Sequence, residues 1–311
     1  MKLSLVVPCY NEEGNVEKFY SEVKKAFEGK VEDYEFVFVN DGSKDETYNK
    51  LKKLYDEHKE SQIQVLSFSR NFGKEAAIYA GLNSVKGDLV CLIDADLQQR
   101  PEVVLRMLDV MQKNEEIDCV TAYQDERKEG RLMTAMKSAF YKIINGIADV
   151  PFVNGASDFR LMKRKMVDAV IEMGEYHRFS KGIFSFVGFN TKWFAHENRE
   201  RAAGETKWSI VKLFKYALDG ILGFSNAPLK LSFWSGALSF AFGVLYGLVF
   251  VIRRIIEHER FISVNLIIAL ICAVGGLILI CLGIIGEYLA RIYTEVKNRP
   301  MYIIDETNIG E

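Results

Sequence analysis

The sequence predicts an α/β fold with a membrane-spanning region behind it. Three observations carry this. Apolar, β-branched runs alternate with helical stretches; polar, turn-forming residues follow each of the first four runs; and two long uncharged runs appear after residue 230. The apolar runs are LSLVV (3–7), YEFVFV (34–39), IQVLSF (63–68), DLVCLI (88–93) and IDCVTA (117–122), with helical stretches near 14–28, 45–59, 74–85 and 101–113. Near-continuous apolar strands alternating with helices read as a parallel sheet covered on both faces. This reading places the sheet wholly upstream of residue 226.

Ligands of such sheets bind beyond the carboxyl ends of the strands. Here those ends carry PCYNEEGN, NDGSKDET, SRNFGKE and DADLQ. Four polar strand ends in a row converge on one rim. Neither G-x-G-x-x-G nor G-x-x-x-x-G-K-[ST] occurs, so no dinucleotide or P-loop cradle is indicated.

Composition narrows the classes. The formal charge of the 311 residues is −2, which argues against nucleic acid as a partner. The five cysteines form no C-x-x-C pair or zinc spacing and read as buried, reduced packing residues. The apolar run in MKLSLVVPCYNEE is too short for a signal peptide and is followed at once by acids. The N-terminal domain is therefore expected in the cytosol.

The two uncharged runs are 231–252 and 261–286, each long enough for an α-helix to cross a bilayer, which takes about 20 residues. RRIIEHER between them suits a tight hairpin. Ser235, Ser239, Gly243 and Gly247 recur every fourth residue, a small-residue stripe for close helix packing against the second span or against another copy in a homo-oligomer. Basic residues flank both ends of the hairpin, so charge alone leaves its orientation open. In TKWSIVKLFKYALDGILGF (206–224), Lys212, Lys215 and Asp219 share one face of an otherwise apolar helix, the pattern of a helix lying in the membrane interface. The expected parts are a catalytic domain (1–206), a juxtamembrane amphipathic helix (207–230), the two spans, and a cytosolic tail (287–311).

Asp94 and Asp96 repel unless a cation lies near them. Carboxylates on a rim without histidine or cysteine suit a hard divalent cation, Mg²⁺ or Mn²⁺, which takes few protein carboxylates and completes its shell with water and substrate phosphates. Gln98 offers a further oxygen. A nucleoside diphosphate fits such a site, because the cation neutralises the leaving group.

These residues carry a resemblance. PCYNE, NDGSKDET, SRNFGKE and DADLQ, followed by SDFRLMKRK (157–165), HRFSKGIF (177–184), RAAGETKW (201–208) and two terminal spans, resemble glycosyltransferase family 2 with its GT-A fold. The match is to its membrane-anchored polyprenyl-phosphate glycosyltransferases. The resemblance implies a Rossmann-like nucleotide-sugar domain, a UDP-sugar donor and a polyprenyl phosphate acceptor. It implies that Pro8, Tyr10, Asn11 and Glu12 line the nucleoside pocket, that Asp41, with Gly42 and Ser43, meets the uracil side, and that Lys74 touches the nucleoside. Asp94, with Ala95, would face ribose or metal, and Asp96, with Gln98, would bind the metal. Asp158 takes the place of the catalytic carboxylate, Arg201 meets the donor diphosphate, and Arg127, Arg131 and Lys207 hold the acceptor.

Two features depart from the family pattern: Arg100 precedes Pro101 after the metal motif, and the loop QDERKEGR (124–131) is unusually acidic. Asp158 also suits a helix N-cap. A polyprenyl phosphate is mostly dianionic at neutral pH, with a second pKa of about 6, so Asp158 is expected to position groups more than to remove a proton. Two other functions fit the same residues. A processive polysaccharide synthase is disfavoured by the absence of Q-x-x-R-W and by so few spans; a non-catalytic nucleotide-sugar sensor is disfavoured by the intact D-x-D-x-Q.

Overall fold

The computed structural model describes residues 1–59, 61–124, 145–146, 150, 156–196, 221–257 and 264–308. Arg127, Arg131, Arg201, Lys207 and most of the expected amphipathic helix lie outside the described residues. The chain divides into two units, the first formed by residues 1–146, 150–220 and 300–311, the second by 147–149 and 221–299.

The first unit is built on β1 (Leu3–Cys9), β2 (Tyr34–Asn40), β3 (Gln62–Phe68) and β4 (Leu89–Leu92), linked by α1 (Val16–Phe27), α2 (Thr47–Glu57) and α3 (Lys74–Ser84). These strands are parallel, and the apolar runs that predicted them are almost wholly buried. Helix α1 buries Val16, Phe19, Tyr20, Val23 and Phe27 on one stripe, the period of a surface helix facing a core. Helix α3 is small-residue rich because it packs tightly across β1 and β2: a Cβ on Gly81 would come 2.4 Å from Val6 Cγ1.

Strand order decides where a ligand sits. The chain runs from β1 outward to β2 and β3, and α3 then returns it to β4 on the other side of β1. The reversal between β1 and β4 is a topological switch point, the usual crevice of an open α/β sheet.

Beyond β4 the sheet departs from the parallel expectation. After α4 (Pro101–Lys113) come β5 (Cys119–Gln124), β6 (Ala156–Lys163), α5 (Arg164–Glu172), α6 (Ser180–Phe186) and β7 (Thr191–His196). β6 inserts between β4 and β5, antiparallel to both, giving the order β7-β5-β6-β4-β1-β2-β3-β8. Asp158 therefore lies inside a strand, and it caps no helix.

The expectation of a sheet wholly upstream of the apolar runs is also overturned. Strand β8 (Ile304–Thr307) returns after them and pairs antiparallel with β3. Its own residues, IDET, are exposed and carry a single apolar side chain, because an edge strand is held through backbone hydrogen bonds and needs no buried face.

The second unit holds α7 (Ala227–Glu257) and α8 (Val264–Val296). At 1.5 Å per residue these are about 46 and 50 Å long; α7 extends past its apolar run at both ends, and α8 runs ten residues beyond the end of its own. Their large apolar side chains face outward, Phe233, Leu238, Phe240 and Leu279 among them. The two helices meet at the first residue of the small-residue stripe, where Ser235 Oγ lies 3.8 Å from Cys281 Sγ. Gly243 and Gly247 have nothing within 4 Å of where a Cβ would stand, so the expected close packing along the whole stripe is not seen among the described residues.

At the amino end of the sheet, buried Glu35 accepts from Ser4 Oγ at 2.6 Å and the Lys86 N–H at 2.8 Å, and pairs with Lys2 Nζ at 2.5 Å. Burial pushes its carboxyl up, but these partners outweigh burial and hold it below the usual range. Its stabilisation is present above the ordinary carboxylate pKa and is lost as pH falls through the depressed value. Glu35→Gln is expected to cost about 1–3 kcal/mol in denaturant unfolding at pH 7, with a smaller penalty at pH 3.

Candidate active site

The strand ends form one connected rim. Asn11 sits in the left-handed region at φ 53°, which an asparagine tolerates better than most residues. There its N–H donates to Ser43 Oγ at 3.0 Å, and its side-chain oxygen accepts the Lys44 N–H at 2.9 Å. Glu12 donates its N–H to Thr47 Oγ1 at 2.8 Å. The loops after β1 and β2 are thus stitched together, leaving Pro8 and Tyr10 half-buried beside them.

Asp41 ties in the third loop. Its carboxylate accepts the N–H of Phe72 at 2.6 Å and of Gly73 at 3.0 Å, and the Asn71 side-chain amide at 2.9 Å. Burial pushes its pKa up to about 6, against the pull of those backbone N–H groups and of Arg70. Gly42 beside it has φ 57°, and a Cβ there would lie 2.2 Å from the Arg70 carbonyl carbon. Only glycine lets the two loops meet so closely.

After β4, Asp94 is held by Gln99, which accepts its N–H at 3.0 Å and donates to its Oδ2 at 3.1 Å. Buried Ala95 separates it from half-buried Asp96, whose Oδ1 accepts the Gln98 N–H at 3.1 Å. The donor set at this turn is all oxygen, which fits a hard divalent cation with one or two protein ligands. Among the described residues no cluster of three or more His, Cys, Asp or Glu forms a closed metal cage. An open Mg²⁺ or Mn²⁺ site completed by substrate does not need one.

Lys74 holds the centre. Its ammonium lies 2.8 Å from Asp94 Oδ1 and 3.1 Å from Asp158 Oδ2. The β4–β6 register pairs Leu92 with Arg160; carried two residues further, it sets Asp94 opposite Asp158. Like charges directly across a strand pair are destabilising, and Lys74 answers both. A lysine in the first turn of a helix faces an unfavourable dipole, so it is these carboxylates that account for its place at the start of α3. Burial raises the Asp158 pKa, but Lys74, Lys181 and Arg160 overcome it and hold the carboxyl well below its usual range. Asp158 Oδ1 is buried with no partner among the described residues.

The sequence points to no role for Asn71, Gln99 or Glu75. Asn71 and Glu75 lie within SRNFGKE and Gln99 directly follows DADLQ, but nothing along the chain shows which side chain each meets. Glu75 accepts both the N–H and the hydroxyl of Ser180. Burial and nearby Asp158 push its pKa up to about 7, against Ser180 and Arg178.

A switch-point rim with oxygen ligands and a lysine-bridged carboxylate pair, on a mixed α/β sheet of GT-A type, defines the class: this is a glycosyltransferase. The chain belongs to glycosyltransferase family 2, whose model matches residues 4–171, while a model described as the GtrB C-terminal hairpin matches 227–292. The bactoprenol glucosyl transferase of Shigella phage SfII is 39% identical over 311 residues, covering 100% of this chain and 99% of its own. CsbB of Bacillus subtilis (strain 168), a glycosyltransferase by name, is 39% identical over 99% of this chain and 92% of its own. The prophage bactoprenol glucosyl transferase homolog of Escherichia coli (strain K12) is 38% identical over 98% of each chain.

Lys74→Met tests the bridge through stability. In the wild-type protein Asp158 contributes stability above about pH 3.9, its unfolded value, and loses it as pH falls through the depressed folded value. Without the lysine, burial is opposed by Lys181 and Arg160 but no longer by the strongest partner of Asp158, so the folded pKa rises and less of that stability remains. Tm is expected to be lower for Lys74→Met than for wild type at pH 7, and the gap between the two to narrow as pH falls through the carboxylate range.

Proposed function

We propose that this chain transfers a hexose, glucose or N-acetylglucosamine, from a UDP-sugar to a polyprenyl phosphate at the cytoplasmic face of a membrane. The observation that carries the reading is the Lys74 bridge, which brings Asp94, just after β4, and Asp158 of β6 to one ammonium; in this reading the first stands on the donor side and the second on the acceptor side. Full-length similarity to bactoprenol glucosyl transferases, and a hairpin of two helices long and apolar enough to cross a membrane, support the lipid acceptor. Both outer ends of that hairpin join the first unit, whose final residues include β8. Two crossings would therefore return the chain to its starting side.

In this reading the Asp41 clasp and the Pro8–Glu12 loop hold the nucleoside, with Gly42 and Ser43 in the adjoining turn. Asp96 and Gln98 would hold Mg²⁺ or Mn²⁺, which when bound neutralises charge on the diphosphate leaving group. Arg201 would meet the same diphosphate, and Arg127, Arg131 and Lys207 the acceptor phosphate. The acceptor oxygen attacks the anomeric carbon as its bond to the diphosphate breaks, in one inverting displacement that yields the glycosyl polyprenyl phosphate and UDP.

Asp158 serves as a positioning group. A carboxylate held well below its usual range by Lys74 is a weak base, and the acceptor phosphate is already ionised. Asp158 Oδ1, without a hydrogen-bond partner among the described residues, is the atom to accept from a hydroxyl of the bound sugar. Orientation of this kind is a large source of rate in displacement reactions.

Labelled nucleotide sugars offered with undecaprenyl phosphate and Mg²⁺ or Mn²⁺ test the function; a label that never becomes lipid-soluble refutes it. Asp96→Asn removes an anionic oxygen while keeping shape, and is expected to slow transfer by at least ~10²-fold. Undiminished turnover of that variant in chelator would exclude the metal role. Asp158→Asn is expected to retain residual transfer that rises with pH through about 6, the second ionisation of the acceptor phosphate. Complete loss at every pH would instead make Asp158 an obligatory base.

A further inference from the structure

The C-terminal segment reaches the donor rim without touching its carboxylates. Beside β8, the Ile303 carbonyl accepts the Ser69 N–H at 3.1 Å, extending the pairing to the first residue after β3. Tyr302 stacks on Phe68, with ring centroids 5.0 Å apart and planes 15° apart, and meets Tyr79 of α3 edge-on at 6.4 Å. Phe68 in turn meets Phe72 at 5.8 Å with perpendicular planes, and Arg70 covers the Phe72 ring at 4.2 Å. Phe72 is the residue whose N–H donates to Asp41 at 2.6 Å. An aromatic relay thus runs from Tyr302 through Phe68 and Phe72 to the clasp. Met301 continues it into the wall of a cavity of about 310 Å³, which Arg70, Phe72, Glu75, His177 and Arg178 also line.

Two separate attachments hold this segment. At the far end of β8, the Asn308 side chain accepts the Val65 N–H at 2.7 Å and donates to the Ile63 carbonyl at 3.0 Å, and Tyr48 donates to Glu306 at 2.5 Å. These contacts fasten the strand. Tyr302 lies at the opposite end, against the turn that carries the clasp.

We propose that Tyr302 is a positioning residue for the donor nucleotide, holding Phe68 and Phe72 so that the Ser69–Gly73 turn keeps its grip on Asp41. The inference rests on the reading of the Asp41 rim as the nucleoside pocket. It makes donor affinity depend on a segment that enters the sheet only after the apolar hairpin is complete.

The test is calorimetric binding of UDP to the full-length protein in detergent, with initial rates of sugar transfer alongside. Tyr302→Ala is expected to weaken UDP binding about five- to tenfold, the scale of a lost aromatic pair, and to raise donor KM in parallel while kcat stays within about twofold. Tyr302→Phe, which keeps the flat ring, is expected to restore wild-type affinity. Asn308→Ala is expected to lower Tm without changing UDP affinity. Tyr302→Leu carries the same expectation as the alanine variant and replaces it if that variant does not fold. Unchanged UDP affinity in Tyr302→Ala or Tyr302→Leu overturns the proposal. So does a loss that Tyr302→Phe fails to rescue, or an equal loss in Asn308→Ala, which would reduce Tyr302 to general fastening. Wild-type protein that binds neither UDP nor GDP would overturn the nucleoside pocket itself, and the inference with it.

Discussion

The Lys74 ammonium between Asp94 and Asp158 is the constraint on which the site depends. β6 runs antiparallel beside β4, and the register sets two carboxylates face to face where their repulsion would otherwise part the strand ends. One lysine, delivered by the first turn of α3, turns that repulsion into a joint. The cost is a cation at the positive end of a helix, a term of about 0.3–1 kcal/mol, and two charge-assisted contacts outweigh it. The same joint keeps Asp158 ionised despite its burial, which fits it to orient a hydroxyl rather than to take a proton.

The donor rim is assembled by similar exchanges between loops. Asn11 and Ser43 join the first two strand ends, Gly42 lets the third come within van der Waals distance, and Asp41 gathers its N–H groups. Each loop supplies what the next one lacks. A rim tied in this way is preorganised, so a ligand does not have to order it. The relay from Tyr302 extends the arrangement to the last residues of the chain.

That extension bears on the architecture. The apolar hairpin is an insertion in the first unit, because β8 completes the sheet after α8 has ended. A truncation ahead of the hairpin removes the edge cover of β3 as well as the helices, so it cannot isolate an intact catalytic sheet.

By itself the sequence determined the strands whose residues are buried on both faces, since burial demands apolar runs, and the polar strand ends that converge on one rim. It determined the two apolar helices because uncharged runs of more than about 20 residues suit a bilayer-spanning helix, and through PCYNE, NDGSKDET, SRNFGKE and DADLQ it named most of the rim residues. It left β6, β7 and β8 unseen, because β6 and β7 carry charged residues among their apolar ones and β8 lies exposed on an edge, paired by backbone groups that every residue possesses. Only the tertiary structure decided that Asp94 faces Asp158, that Lys74 serves both, and that Tyr302 stands behind Phe72. Those pairings depend on strand register and on which helix returns across which strand, and side-chain chemistry read along one chain contains neither.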